Sequence, residues 1–166
     1  MNEIAQAGIQ ARPTPLQWAA LPHSLWSTEV KIHFGQCDPA GIVYTPKYFD
    51  IFNTVIEDWY EQVLGLNYYE FIGTRRIGLG YVNAHSDFFA TCTMGDRLRV
   101  AVDLERIGNS SFVIVLHAFQ NKSEALRGRF TVVTTDLLRH RPIPIPDDLR
   151  AALLDYAKSW DKPAVD

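Results

Sequence analysis

The sequence holds only two cysteines in 166 residues, Cys37 and Cys92. That is too few for a disulfide scaffold, and no His, Cys and acidic residues stand at metal-ligand spacing. A reducing, cytoplasmic setting is expected, with no metal and no cofactor. Basic charge is equally unconcentrated: 16 Lys and Arg against 19 Asp and Glu give a formal charge of −3, with no basic run to mark a nucleic-acid footprint. Small molecules are therefore the expected partners. No apolar stretch is long enough to cross a bilayer, so no membrane partner is expected. The first residues carry Glu3 where a secretory leader needs positive charge, and they lack an uninterrupted apolar core, so an unexported protein is expected. "RRIGLG" (75–80) has neither the lysine nor the spacing of a phosphate-binding loop, which argues against nucleotide hydrolysis. Internal repeats and low-complexity tracts are absent.

What is present is a 47% hydrophobic chain of a length that suits one domain with a real core. Residues 1–26, rich in Ala, Gln and Pro, read as an arm partly ordered by Trp18 and Trp26. The domain is expected over 27–160. "STEVKIHF" (27–34) alternates Val30, Ile32 and Phe34 against Glu29, Lys31 and His33, the pattern of a half-buried strand, which sets His33 opposite Phe34. A helix is predicted over 46–64. Thr45 suits its N-cap, Pro46 its first position, Tyr44 and Phe49 a hydrophobic staple, and Gly65 its C′ position. Phe49, Phe52, Ile56, Trp59 and Val63 make its apolar face; Asp50, Asn53, Glu57 and Glu61 make a polar stripe. Four strands follow at about 81–92, 97–106, 111–121 and 124–138, joined by short turns suited to an antiparallel meander. "DDLRAALLDYAKSW" closes the chain as an amphipathic helix. The order implies an α+β domain with one apolar helix on an antiparallel sheet.

The chemistry concentrates before the long helix, in "FGQCDPAGIVYTPKYFD" (34–50). Pro39 drives Asp38 into an extended conformation, and Gly41 permits a backbone path closed to other residues. The helix start over Thr45 to Tyr48 offers unpaired N–H groups and the positive end of a dipole, able to hold an oxyanion. A carboxylate nearby is available to attack an acyl carbon or to deprotonate a water. This is half of an acyl-transfer site.

The same residues, Asp38-Pro39-Ala40-Gly41-Ile42-Val43 and the helix after them, resemble the active-site segment of hot-dog-fold acyl-CoA thioesterases of the 4-hydroxybenzoyl-CoA thioesterase type. At pattern level the resemblance extends over most of 27–155. It implies a sheet wrapped around a long central helix, and an acyl-CoA substrate cleaved to an acid and free CoA. It also implies paired subunits with active sites at their interface, as a homodimer or a dimer-of-dimers homotetramer. Asp38 is then the nucleophile or base, and the Thr45 backbone N–H polarises the thioester carbonyl. Three positions depart from the family pattern. Thr45 stands where Tyr or His is common, Phe34 where some relatives have Tyr, and Asn53 where the hydroxybenzoyl type has an Asp that meets the ring hydroxyl. The last weakens the case for 4-hydroxybenzoyl-CoA as the substrate.

Tyr44, Asn53, His85, Ser110 and Ser111 are the expected substrate-side residues. His85 with Asn83 lines a pocket or is a satisfied structural histidine, as is His117. Ser110 and Ser111 match the CoA-contacting turn of relatives or serve as ordinary hairpin residues. Arg75, Arg76, Arg97 and Arg106 are candidates for the CoA phosphates. Cys37 with His33 is an alternative nucleophile, against the tendency of neighbours in an extended turn to point apart. Glu57 or Asp58 is an alternative carboxylate, a solvated or subunit-facing stripe being the plainer explanation. An acyl-carrier-protein thioesterase and a non-catalytic acyl-CoA-binding protein remain alternatives; no His/Asp pairing matches a hot-dog dehydratase.

Overall fold

Alternation of apolar residues builds the sheet. Leu98, Val100, Val102 and Leu104 alternate along β3 (Arg97–Ile107), and Phe112, Ile114, Leu116 and Ala118 along β4 (Ser111–Gln120). Leu126, Phe130 and Val132 continue the rows on β5 (Ser123–Asp136), and in the computed structural model, which describes residues 13–159, none of these eleven is more than 2% exposed. Registers such as Leu104↔Ile114 and Ile114↔Phe130 set them side by side on one face. With β1 (Ser27–Lys31) and β2 (Ile77–Phe88) at the edges, the antiparallel order is β1-β3-β4-β5-β2, and the two-residue β6 (Arg141–Pro142) adds to β5. This is the expected α+β architecture.

Helix α1 (Lys47–Gln62) lies on that apolar face, burying Phe52, Ile56 and Trp59 as predicted, with Tyr48, Ile51, Val55 and Tyr60 besides. Phe49 and Phe52 set their rings edge-on to Phe130 at 6.0 and 5.8 Å. Gly65 ends the helix in the left-handed region (φ +64°), with the Leu66 N–H closing on the Tyr60 carbonyl at 2.9 Å. The start differs from expectation. Pro46 takes the N-cap position without a side-chain cap, and Tyr44 is 55% exposed while Phe49 turns to Phe130. A short helix α2 (Tyr68–Gly73), which the pattern did not separate from its surroundings, is capped by Asn67 Oδ1 accepting the Tyr69 and Glu70 N–H groups. The final helix α3 (Asp147–Lys158) packs Tyr156 on Trp59, ring centroids 5.3 Å apart.

Two strand predictions need correction. β1 stops at Lys31, and Phe34 opens a 3-10 turn (Phe34–Gln36) where it is 82% exposed, so the 27–34 alternation does not reach His33 and Phe34. β2 runs four residues earlier than predicted at both ends and contains a bulge: Tyr81 pairs with Val132 and Asn83 with Thr131, leaving Val82 unpaired.

Residues 1–12 of the expected arm lie outside the described residues. The part that follows is docked: the Trp18 N–H meets the Lys122 carbonyl at 2.8 Å, and the Trp18 ring packs edge-on against Phe119 with the Arg99 guanidinium 3.8 Å from its centre.

Candidate active site

Asp38 occupies the first position of a tight hairpin. Cys37 bridges Val43, the Asp38 N–H donates to the Ile42 carbonyl at 2.9 Å, and the Gly41 N–H returns to the Asp38 carbonyl at 2.9 Å. Three loop residues with Pro after the first corner and a left-handed glycine at the end suit a turn closed by a bulge, and Gly41 has φ +78°. Asp38 Oδ1 accepts the Ala40 N–H at 2.8 Å, which fixes the carboxylate and leaves Oδ2 without a partner among the described residues. The hairpin is tied to the sheet by the Val43 N–H on the Cys92 carbonyl at 3.0 Å and an Ile42 to Thr93 bridge.

The helix start is sparser in donors than the sequence suggests. The Lys47, Tyr48 and Phe49 N–H groups are spent on the Tyr44, Thr45 and Pro46 carbonyls at 2.7, 3.2 and 3.1 Å, and Pro46 has none to give. Only the Thr45 N–H, of residues 45–49, meets no acceptor among the described residues. The expected donor survives and its expected companions do not. Beside it Tyr44 donates its N–H to the Gln36 carbonyl at 2.9 Å and exposes its ring. Burial pushes the phenol of Tyr48, in the first helical turn, well above its ordinary range. Burial likewise raises the Cys92 thiol, which the Tyr48 hydrogen bond only partly offsets.

Asn53 accepts the Tyr81 hydroxyl on Oδ1 at 2.7 Å. Burial raises the Tyr81 phenol, so it stays protonated and donates. Tyr81 was not among the expected residues, because its partner Asn53 lies on α1, far back in the sequence, and meets it only in the fold. The β2 bulge puts His85 on the face of the sheet away from α1. There it lies 3.3 Å from Asp87 and borders a cavity of about 310 Å³ lined also by Asp103, Glu105, His117 and Arg129. Ser110 and Ser111 sit in the β3–β4 turn, where the Ser110 carbonyl accepts from Thr134 N–H and Ser111 pairs with Val133. Strand β3, 11 residues and roughly 35 Å at ~3.3 Å each, separates that turn from the Asp96 end beside the Asp38 hairpin. One chain therefore does not bring these serines to Asp38.

The alternatives receive little support. Cys37 Sγ faces the His33 carbonyl at 3.7 Å, not its ring. Cys37 and Cys92 flank Val43 on successive chain segments, and both are free thiols. Glu57 accepts the Tyr69 hydroxyl and, with Asp58, Glu61 and Tyr68, borders a cavity of about 170 Å³ between α1 and α2. Arg75 is committed to Asp148 and Arg97 to Glu29. Arg106, near the serine turn, and Arg76 carry no ion pair among the described residues. No group of three or more His, Cys, Asp or Glu there could hold a metal.

Residues 32–153 match the model of the thioesterase-like superfamily. The chain belongs to that superfamily. It is similar to a 1,4-dihydroxy-2-naphthoyl-CoA hydrolase of Thermosynechococcus vestitus, 29% identical over 133 residues, covering 80% of this chain and 90% of the relative. Among solved structures, a thioesterase-superfamily protein of Jannaschia sp. CCS1 superposes with a TM-score of 0.74 at 27% identity, over 81% of this chain and 94% of that one. The 1,4-dihydroxy-2-naphthoyl-CoA thioesterase of Synechocystis superposes with a TM-score of 0.72 at 24% identity, over 78% and 95%. These likenesses agree with the hot-dog architecture of a curled sheet on one long helix.

Proposed function

We propose that this superfamily member hydrolyses an aryl-CoA thioester to the aromatic acid and free CoA, with Asp38 as nucleophile or base. Asp38 Oδ2 either attacks the thioester carbon or takes a proton from a water that attacks it. The carbonyl oxygen becomes an oxyanion held by the Thr45 N–H and the α1 dipole; the C–S bond then breaks and CoA leaves as a thiolate. If Asp38 attacks, water hydrolyses the resulting anhydride and restores the carboxylate. The observation that carries this reading is a carboxylate pinned through one oxygen in the hairpin that leads into α1, together with the unspent Thr45 N–H at the start of that helix. The aryl preference draws on relatives named for dihydroxynaphthoyl-CoA. A cytoplasmic location, in keeping with two free thiols, and assembly as a homodimer or dimer of dimers belong to the same reading.

The test is thiol release from benzoyl-, hydroxybenzoyl- and dihydroxynaphthoyl-CoA, and from short and long acyl-CoAs, by wild type and Asp38→Asn. Asparagine keeps the oxygen that accepts the Ala40 N–H, so the turn and the unfolding temperature should be preserved while kcat falls about a thousandfold. A variant as fast as wild type removes Asp38 from the mechanism. Release of acid from acyl-carrier-protein thioesters alone reassigns the carrier and keeps the chemistry.

A further inference from the structure

The Asp38 hairpin does not stand alone. Its returning limb, Gly41 to Val43, lies against a third chain segment, Cys92 to Met94. The Val43 N–H donates to the Cys92 carbonyl at 3.0 Å, Ile42 bridges Thr93, and the Met94 N–H reaches the Gly41 carbonyl at 3.3 Å. Whatever holds residues 92–94 therefore helps to place Asp38.

Those residues run into the turn before β3. The Asp96 N–H returns to the Thr93 carbonyl at 3.1 Å, and Gly95 has φ +92°, which a type II turn asks of its third residue. Asp96 then binds the turn a second time through its side chain. One carboxylate oxygen, Oδ2, accepts the Thr93 N–H at 2.6 Å, the Thr93 hydroxyl at 3.0 Å and the Gln120 side-chain amide at 2.7 Å. A local turn needs only the first two of these bonds. The third comes from the last residue of β4, so it ties the turn to the sheet. The backbone of Asp96 is anchored as well: its carbonyl accepts the Ile32 N–H at 2.8 Å, and the Gly95 N–H donates to the Ile32 carbonyl at 3.0 Å. Asp96 makes no ion pair among the described residues, and hydrogen bonds to a carboxylate are of the strong kind.

We propose that Asp96 is the positioning residue of the reacting carboxylate: through Thr93 and Ile42, with Gln120 as its anchor on the sheet, it fixes where Asp38 stands relative to the Thr45 N–H. The proposal rests on the thioesterase reading and deepens it. Misplacing a reacting group by about 1 Å can cost roughly a hundredfold in rate, so loss of this brace falls on kcat. Binding of the substrate does not pass through it.

Asp96→Ala, Asp96→Asn and Gln120→Met are compared with wild type and Asp38→Asn by amide hydrogen exchange and by steady-state hydrolysis of the aryl-CoA panel. In Asp96→Ala the Asp38 and Val43 amides should exchange about tenfold faster or more, while those of Ile114 and Leu116 stay protected. Its kcat should fall about a hundredfold with KM changed by less than about threefold. Asparagine keeps an oxygen for the Thr93 and Gln120 donors, so Asp96→Asn should recover kcat to within about fivefold of wild type. Gln120→Met removes one donor and should lower kcat about fivefold, the scale of one hydrogen bond. Wild-type kcat in Asp96→Ala, a loss confined to KM, or an asparagine variant no better than alanine overturns the proposal. Should Asp96→Ala not fold, wild-type kcat in Gln120→Met overturns it instead. Loosened hairpin amides with kcat intact, beside an inactive Asp38→Asn, sink this inference alone. An Asp38→Asn variant as fast as wild type sinks the catalytic reading, and the positioning role falls with it.

Discussion

Glu124 is 1% exposed on β5 and receives hydrogen bonds from His117 Nδ1 at 2.7 Å, from the Arg127 guanidinium and from the Leu16 backbone N–H at 2.9 Å. Burial opposes its ionisation, but those bonds outweigh burial and hold the carboxyl down at about 2, against an ordinary 4.5. A carboxyl with a depressed folded pKa contributes stability in full above about pH 4.5, and the contribution is lost as pH falls toward about 2. Because one donor is Leu16, and the Glu124 N–H returns to the Leu16 carbonyl at 2.9 Å, the same carboxylate clasps the arm to the β4–β5 hairpin. Glu124→Gln should therefore lower stability at pH 7 by about 3 kcal/mol. Urea unfolding followed at several pH values should show the wild-type and variant curves converging between pH 4.5 and 2. Equal stability at pH 7 would show that the three donors bring no net gain. None of this is legible in the sequence, where Glu124 is one more acid in a turn; its partners come from residues 16, 117 and 127 and meet only through the sheet.

At the scale of elements, α1 was legible because its apolar face repeats at helical spacing and Gly65 stops it, features that depend on neighbours in sequence. Its first turn begins one residue later than predicted: Thr45 suits an N-cap and Pro46 a first helical position, and only the bonding of the Lys47, Tyr48 and Phe49 amides shows that the cap falls on Pro46. The β2 bulge was not legible: Tyr81 to Ser86 alternates acceptably in either register, and the choice is made by β5. Gly128 shows how close that packing is. A Cβ there would stand 2.6 Å from Phe52 Cε2 and 2.7 Å from Phe130 Cε2, so its missing side chain is what lets α1 settle on the sheet. Gly128→Ala should destabilise the protein by about 2 kcal/mol through overpacking, read as a lower urea midpoint at constant slope. An unchanged midpoint would mean that Phe52 moves aside freely, and that α1 is less firmly placed than its ring contacts with Phe130 imply.

In the whole molecule, the sheet order leaves β2 as a 12-residue edge whose outer side pairs with no described strand. Exposed edges are usually blunted by Lys, Pro or brevity, and Ile77–Phe88 has no Lys or Pro, with Asp87 its only acid and Val82 66% exposed. The catalytic candidates pose a matching problem. Asp38 and the Ser110–Ser111 turn with Arg106 lie at opposite ends of β3, so a CoA reaching from one to the other asks for more than one chain supplies. Reading residues one at a time could list both sets but could not show that they belong to different ends of the same sheet. Both features are resolved if two copies join edge to edge along β2, placing the exposed Val82 at the seam and a second chain's turn within reach. Wild type should then sediment as a dimer or a dimer of dimers. Val82→Lys, which sets like charges against each other across a twofold seam, should shift it toward monomer and lower kcat/KM by about tenfold or more. A monomeric wild type with full thioesterase activity would place the whole site, CoA contacts included, within one chain, and would remove the Ser110–Ser111 turn and Arg106 from it.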